Sequence, residues 1–176
     1  MGLMAFGMTT VLLNLHNSGL FPIGSMILSM GLFFGGIAQV IAGIMEYRNN
    51  NMFGLTAFTA YGLFWLSLVS LLVLPELGLA QPAGKTAMAA YLLVWGLFTA
   101  LMTVSAARLN KALCTIFVTL TILFVLLAIG QYSPLVHIIA GYEGIICGFT
   151  AIYTGFADIT NDVYGRTVIP IWPIKK

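Results

Sequence analysis

Hydroxyl and carboxamide side chains recur inside segments of this chain that are otherwise apolar, and they favour alternate segments. Thr9, Thr10 and Asn14 fall in the first segment, Thr56, Thr59 and Tyr61 in the third, and Thr115, Thr119 and Thr121 in the fifth. A threonine inside a membrane helix often only bonds back to the carbonyl four residues earlier, so the argument rests on the set and not on any one member. Three helices that offer uncharged donors and acceptors among Phe, Tyr and Leu describe a narrow amphipathic path. A ring of carboxylates that would hold a cation is a different pattern. The path read here suits a small polar or weakly acidic solute, with Thr9, Thr10, Asn14, Thr56, Thr59, Thr115 and Thr119 as its polar lining.

Ionisable groups within the apolar segments are rare. Glu143 is the one acid at depth, about two turns into the last segment. A carboxylate in hydrocarbon costs several kcal/mol unless it is paired, protonated or wetted, which makes Glu143 a possible protonation site. Structural use at a helix interface explains it equally well. His16 and His137 stand near helix ends, where solvated edge histidines are ordinary and a pH-responsive mouth is the sharper alternative. Cys114 and Cys147 lie inside segments and lack the paired spacing of a zinc site, so both read as small packing residues. No nucleophile with its base, no phosphate loop and no metal cluster can be assembled, which argues against an enzyme and against any cofactor.

The elements that hold these residues follow from composition. The chain has 176 residues, 60 % hydrophobic and 7 % charged, with a mean hydropathy of +1.03. Soluble domains carry about 25 % charged residues. The expected architecture is an all-α membrane protein, a single domain over 1–176. It has six helices at about 2–18, 24–45, 54–74, 86–107, 112–130 and 135–157 and a tail over 158–176. All but the first of the underlying apolar runs reach the roughly 17 to 25 residues that cross a ~30 Å layer. Barrel strands are shorter and alternate in polarity. The first run lacks the basic start and small-residue cleavage site of a signal peptide.

Six of the seven basic residues, namely Arg48, Arg108, Lys111, Arg166, Lys175 and Lys176, fall in the even loops and the tail, leaving Lys85 on the other side. That places both termini in the cytoplasm and the helices in the cell membrane. A net charge of +2 gives no reason to expect nucleic-acid binding. Gly31-x-x-x-Gly35 with Gly36, and Gly144-x-x-x-Gly148 with Gly141, offer faces for close helix contact within or between subunits. A partial echo of Gly2-Leu3-Met4-Ala5-Phe6 in Gly54-Leu55-Thr56-Ala57-Phe58 is compatible with three related hairpins around a central pore.

Longer motifs carry a resemblance. Phe6-Gly7-Met8-Thr9-Thr10-Val11-Leu12-Leu13-Asn14-Leu15-His16-Asn17 and Gly35-Gly36-Ile37-Ala38-Gln39-Val40-Ile41-Ala42-Gly43 with Glu46-Tyr47 are similar to segments of the acetate uptake transporters. So are Thr56-Ala57-Phe58-Thr59-Ala60-Tyr61-Gly62-Leu63-Phe64-Trp65, Leu126-Leu127-Ala128-Ile129-Gly130 and Tyr164-Gly165-Arg166-Thr167-Val168-Ile169-Pro170. The likeness runs in order through essentially the whole chain. It implies six-helix subunits assembled as a homohexamer, each with its own pore, similar in architecture to proton-gated urea channels. It also implies carriage of acetate, and in some members succinate, and a hydrophobic constriction that falls here on Phe6, Tyr61 and Leu120. Two departures stand out. The family signature Asn-Pro-Ala-Pro-Leu-Gly is entered only at Met1-Gly2-Leu3, and Glu143 in Gly-Tyr-Glu-Gly replaces apolar residues of the bacterial permeases.

The reading is therefore transport of acetate or other small carboxylates through a narrow pore in each subunit, as an anion channel or a proton-coupled carrier. The alternative is a neutral-solute channel for urea, ammonia or a protonated acid, which needs the same architecture and no fixed charge.

Overall fold

Backbone groups in hydrocarbon must be satisfied within their own segment, and this chain meets that demand with helices throughout. The computed structural model describes residues 1–174; Lys175 and Lys176, counted above for topology, lie outside the described residues. The helices are α1 (Gly2–Asn17), α2 (Ser25–Arg48), α3 (Met52–Glu76), α4 (Lys85–Ala106), α5 (Lys111–Gly130) and α6 (Pro134–Tyr164). All but α1 are long and apolar enough to cross a membrane. At 1.5 Å per residue the 31 residues of α6 span about 46 Å. They run past the expected end at 157, so the last turns of α6 stand beyond the hydrocarbon layer.

The helix ends are set by local chemistry. Asn51 caps α3 by accepting from Gly54 N at 3.0 Å, and Asn110 caps α5 by accepting from Leu113 N at 2.7 Å. Gly165 ends α6 in the left-handed region (φ +62°), which costs glycine nothing. Residues Met30–Ala38 of α2 are wound as a π-helix. Gly36 lies in that stretch, and a Cβ there would strike the Leu66 side chain and the Gly31 carbonyl oxygen.

The six helices form a ring in chain order that closes by packing α1 along α6. Most neighbours touch closely, but α3 and α4 are held apart by side chains. Tyr61 donates to Thr99 Oγ1 at 2.9 Å, Ser67 and Tyr91 share a bond of 2.6 Å, and the Phe64 and Trp95 rings meet edge to face at 5.2 Å. Large apolar side chains such as Phe33, Val94, Leu97, Leu101, Ile146 and Phe149 point outward. In water this would be an aggregating surface; in a bilayer it is the lipid-facing belt.

The glycine faces are consumed inside the subunit. Gly144 packs on the Asn14 side chain and Gly148 on Val11 and the Gly7 backbone, sealing α6 to α1. Gly31 and Gly35 receive Val69 and Trp65 of α3, and Gly35 also receives Thr9. Of the two uses left open for these motifs, the structure selects contact within the subunit.

The tail returns to the start of α5. Asn161 grips Ile169 by both backbone groups, at 2.8 and 2.9 Å, and also accepts from Val168 N. Tyr153 donates to the Pro170 carbonyl at 2.7 Å and stacks on Trp172. Lys111 N then donates to the Trp172 carbonyl and Ile174 N to that of Leu109. Both described ends of the chain thus lie at one end of the bundle, with Arg48, Arg108, Lys111 and Arg166; Lys85 lies at the other.

Candidate functional site

A cavity of about 530 Å³ enters the bundle at the end that carries both termini. Each contributing helix lines it with one i, i+3, i+4 face, the geometry that stacks side chains along a helix. These faces are Gln39, Ala42 and Glu46 of α2; Gly54, Ala57 and Tyr61 of α3; Leu113, Ile116, Phe117 and Leu120 of α5; and Thr154 and Asp158 of α6, with Gly2, Leu3 and Phe6 of α1. Asn110 and Leu109, which the tail braces, stand at the rim.

Counting inward along each helix, the deepest lining positions are Phe6, Gln39, Tyr61, Leu120 and Thr154. Phe6, Tyr61 and Leu120 are 5 %, 3 % and 3 % exposed. The Phe6 and Tyr61 rings lie 5.7 Å apart, and Tyr61 also meets Phe117 at 6.0 Å and Phe98 at 5.7 Å. Further along the axis Phe64 contacts Trp65, Tyr91, Trp95 and Phe124 and fills the bundle with rings. The Tyr61 hydroxyl turns away to Thr99, so the group offers the cavity a ring face and not a donor. Thr99 in turn donates to the Trp95 carbonyl at 2.8 Å, which fixes the direction of the Tyr61 bond.

The expected polar lining lies elsewhere. Thr56 and Thr115 are exposed on the outside of the bundle, with Thr115 donating to the Lys111 carbonyl. Thr115 belongs to an outer groove between α5 and α6 whose other residues include Phe149, Tyr153 and Trp172. Thr119 also bonds back, to the Thr115 and Ile116 carbonyls. Thr59 is pressed against Gly43 of α2, and Thr9 faces α2 with a long 3.5 Å contact to the Met30 carbonyl. Thr10 is buried with its hydroxyl unpartnered. Asn14 donates to the Thr10 carbonyl at 2.9 Å and accepts from Asn17 Nδ2 at 3.0 Å, wedged on Gly144. None of these seven lines the cavity. Thr115, Thr119 and Asn14 spend their hydrogen bonds on backbone carbonyls and on Asn17, the ordinary fate of such groups in apolar helices, while the Thr10 and Thr59 hydroxyls are buried without a partner.

Glu143 is set apart from the cavity as well. Both carboxylate oxygens are enclosed and without a hydrogen-bond partner. Its neighbour one turn on, Cys147, is fully buried and contacts the Ile116 carbonyl. His16 Nδ1 donates to the Phe21 carbonyl at 2.9 Å, closing the turn after α1 at the bundle end remote from the cavity.

Sequence reasoning passed over the polar residues the cavity does contain. Gln39 is 1 % exposed and its amide carbonyl oxygen has no partner. Thr154 is equally buried and donates to the Thr150 carbonyl at 2.8 Å, leaving its oxygen lone pairs free. Glu46 and Asp158 stand nearer the mouth, Glu46 held by Asn51 Nδ2 at 2.8 Å. A signal existed in the seven-residue spacing of Gln39 and Glu46, two turns apart on one helix face.

With that geometry in view, the comparisons with known proteins are decisive. The model of the GPR1/FUN34/yaaH family matches residues 1–176. The chain belongs to this family. It is 50 % identical to the succinate-acetate/proton symporter SatP of Escherichia coli K12, over 97 % of this chain and 92 % of that one. Acetate permease A of Emericella nidulans is 29 % identical over 97 % of this chain and 64 % of its own length. Among solved structures, that of the bacterial acetate channel SatP superposes with a TM-score of 0.95 at 49 % identity. The match covers 97 % of this chain and 95 % of the other. The family resemblance and the all-α, multi-pass membrane fold read from the sequence stand.

Proposed function

We propose that this protein carries acetate and related small carboxylates across the cell membrane through the middle of each six-helix subunit. The observation that carries the reading is the cavity floor. Phe6, Tyr61 and Leu120 come from α1, α3 and α5 and meet at the inner end of one cavity on the bundle axis. Relatives named for acetate transport share the chain nearly end to end. In this reading the three side chains form the constriction: apolar surfaces pass a methyl group readily and limit width, while a carboxylate must shed hydration that only polar groups replace. Gln39 and Thr154, adjoining the floor, are the polar groups placed to do so.

Orientation follows from charge. Arg48, Arg108, Lys111 and Arg166 gather at the end bearing the termini and the cavity mouth, which supports a cytoplasmic mouth. The outward apolar belt is compatible with a homohexamer in the lipid bilayer, as the family implies. Polar lining by Thr9, Thr10, Asn14, Thr56, Thr59, Thr115 and Thr119 is not carried into this reading, since they lie outside the cavity.

Radiolabelled acetate uptake into proteoliposomes, with and without a pH gradient, tests the function. Saturable uptake above that of protein-free vesicles is expected, and its loss in Phe6→Trp, which plugs the floor. Uptake no greater than in protein-free vesicles would overturn the reading.

A further inference from the structure

A groove on the outer face of the bundle has the opposite chemistry to the vestibule. It runs between α5 and α6 with a volume of about 630 Å³. Glu46 and Asp158 line the central cavity, whereas Lys111 lines the groove, and among the described residues no acidic side chain does. Polarity is graded along its length. Lys111, Tyr153 and Trp172 stand toward the end that bears the termini; Ile145, Ile146 and Phe149 line the deeper part. From Tyr153 to Ile145 the α6 wall runs about 12 Å at the helical rise, close to the ~15 Å of one hydrocarbon leaflet.

The wall suits an apolar chain and the rim a charged head group. Thr115 and Thr150, the two hydroxyls of the wall, already donate to the Lys111 and Ile146 carbonyls at 2.9 and 2.8 Å. They need no partner from an occupant. At the rim Tyr153 stacks on Trp172 with the rings 6.2 Å apart, and its hydroxyl is tied to the Pro170 carbonyl. Trp172 holds this position at φ +53°, a conformation that a bulky residue keeps only where its surroundings impose it. Aromatic side chains at that height sit among lipid head groups. The first amides of α5 contribute nothing. Lys111 N and Ala112 N donate to the Trp172 and Ile171 carbonyls, and Leu113 N to Asn110 Oδ1. The attraction for an anion therefore rests on the Lys111 ammonium.

We propose that this groove binds one anionic glycerophospholipid, its phosphate against the Lys111 ammonium and an acyl chain laid along Ile146 and Phe149. An outer groove in a bilayer does not stay empty. The occupant that fits presents a negative charge at the height of Lys111 with apolar length beneath it. An anionic phospholipid does both, whereas a zwitterionic one carries a second, positive charge that weakens the attraction. One basic side chain at a membrane surface is worth roughly a fivefold preference for the anionic lipid. The proposal is independent of what the subunit carries, since neither Lys111, Ile146 nor Phe149 lines the central cavity.

The experiment uses the full chain in phosphatidylcholine nanodiscs that contain a minor fraction of a lipid with brominated acyl chains. That lipid is either phosphatidylglycerol or phosphatidylcholine. Phe149→Trp sets a fluorescent reporter in the groove wall, read as the difference from the unaltered protein. Brominated phosphatidylglycerol is expected to quench it several-fold more strongly than brominated phosphatidylcholine. Adding Lys111→Gln lowers that preference about fivefold, and adding Lys111→Arg retains it. Unbrominated phosphatidylglycerol reverses the quenching and inorganic phosphate does not. Without the reporter, phosphatidylglycerol raises the melting temperature above that in phosphatidylcholine alone, a gain that Lys111→Gln lacks. Equal quenching by the two brominated lipids leaves an unselective annular surface and overturns the proposal. So does quenching by neither, which places a second copy of the chain over the groove. Reversal by inorganic phosphate alone, which leaves an anion site with no bound chain, overturns it as well.

Discussion

Leu120 faces the cavity floor with 3 % of its surface exposed, and it is the smallest of the three floor side chains. Leu120→Ala removes three heavy atoms from the cavity floor while leaving both rings in place. The expected outcome is a several-fold rise in lactate uptake relative to acetate, read by competition in proteoliposomes; an unchanged ratio removes Leu120 from the size filter. The same change should cost about 2 to 5 kcal/mol of stability, so a lower melting temperature is expected alongside it. Glu143 gives the opposite case. A carboxylate without a partner is costly to enclose in ionised form, and Gln of the same shape is cheaper. Glu143→Gln is therefore expected to leave uptake and its pH profile unchanged and the melting temperature equal or higher. If uptake driven by a proton gradient is lost while exchange at equal pH survives, Glu143 is the coupling group after all.

At the scale of elements, the six helices were legible because hydropathy and loop punctuation report them directly. Which way each helix faces was not. Helices that are apolar all round carry no polar stripe to mark the inward face. The threonines looked like such a mark, yet Thr115, Thr119, Thr121, Thr99 and Thr103 all bond back to their own helix. A hydroxyl satisfied that way faces lipid as readily as a pore. Phe6, Tyr61 and Leu120 were singled out through family motifs, and nothing in their local spacing distinguishes them from Phe64 or Leu123. The glycines were better reporters, since a missing side chain matters only where something fills the gap. Gly144→Ala drives a Cβ into the Asn14 amide. Overpacking of that kind costs about 1 to 3 kcal/mol, so a clear fall in melting temperature is expected. Gly24→Ala, at an extended φ of −158° with nothing within 4 Å, is the matched control and should change little.

For the molecule as a whole, function depends on which way the vestibule faces. The bundle end that bears the cavity mouth carries Arg48, Arg108, Lys111 and Arg166 against Lys85 at the other. The inward mouth proposed above rests on the cytoplasmic retention of basic loops. The acidic residues Glu46 and Asp158 do not offset this, because the rule counts Lys and Arg and gives carboxylates little weight. Two single-cysteine variants decide the orientation, each made with Cys114→Ser to lower background, since Cys147 is fully buried. Ala83→Cys, in the loop beside Lys85, should react with a membrane-impermeant maleimide on intact cells. Thr167→Cys, exposed in the tail, should react only after the membrane is opened. Reversed labelling would place the cavity mouth outside.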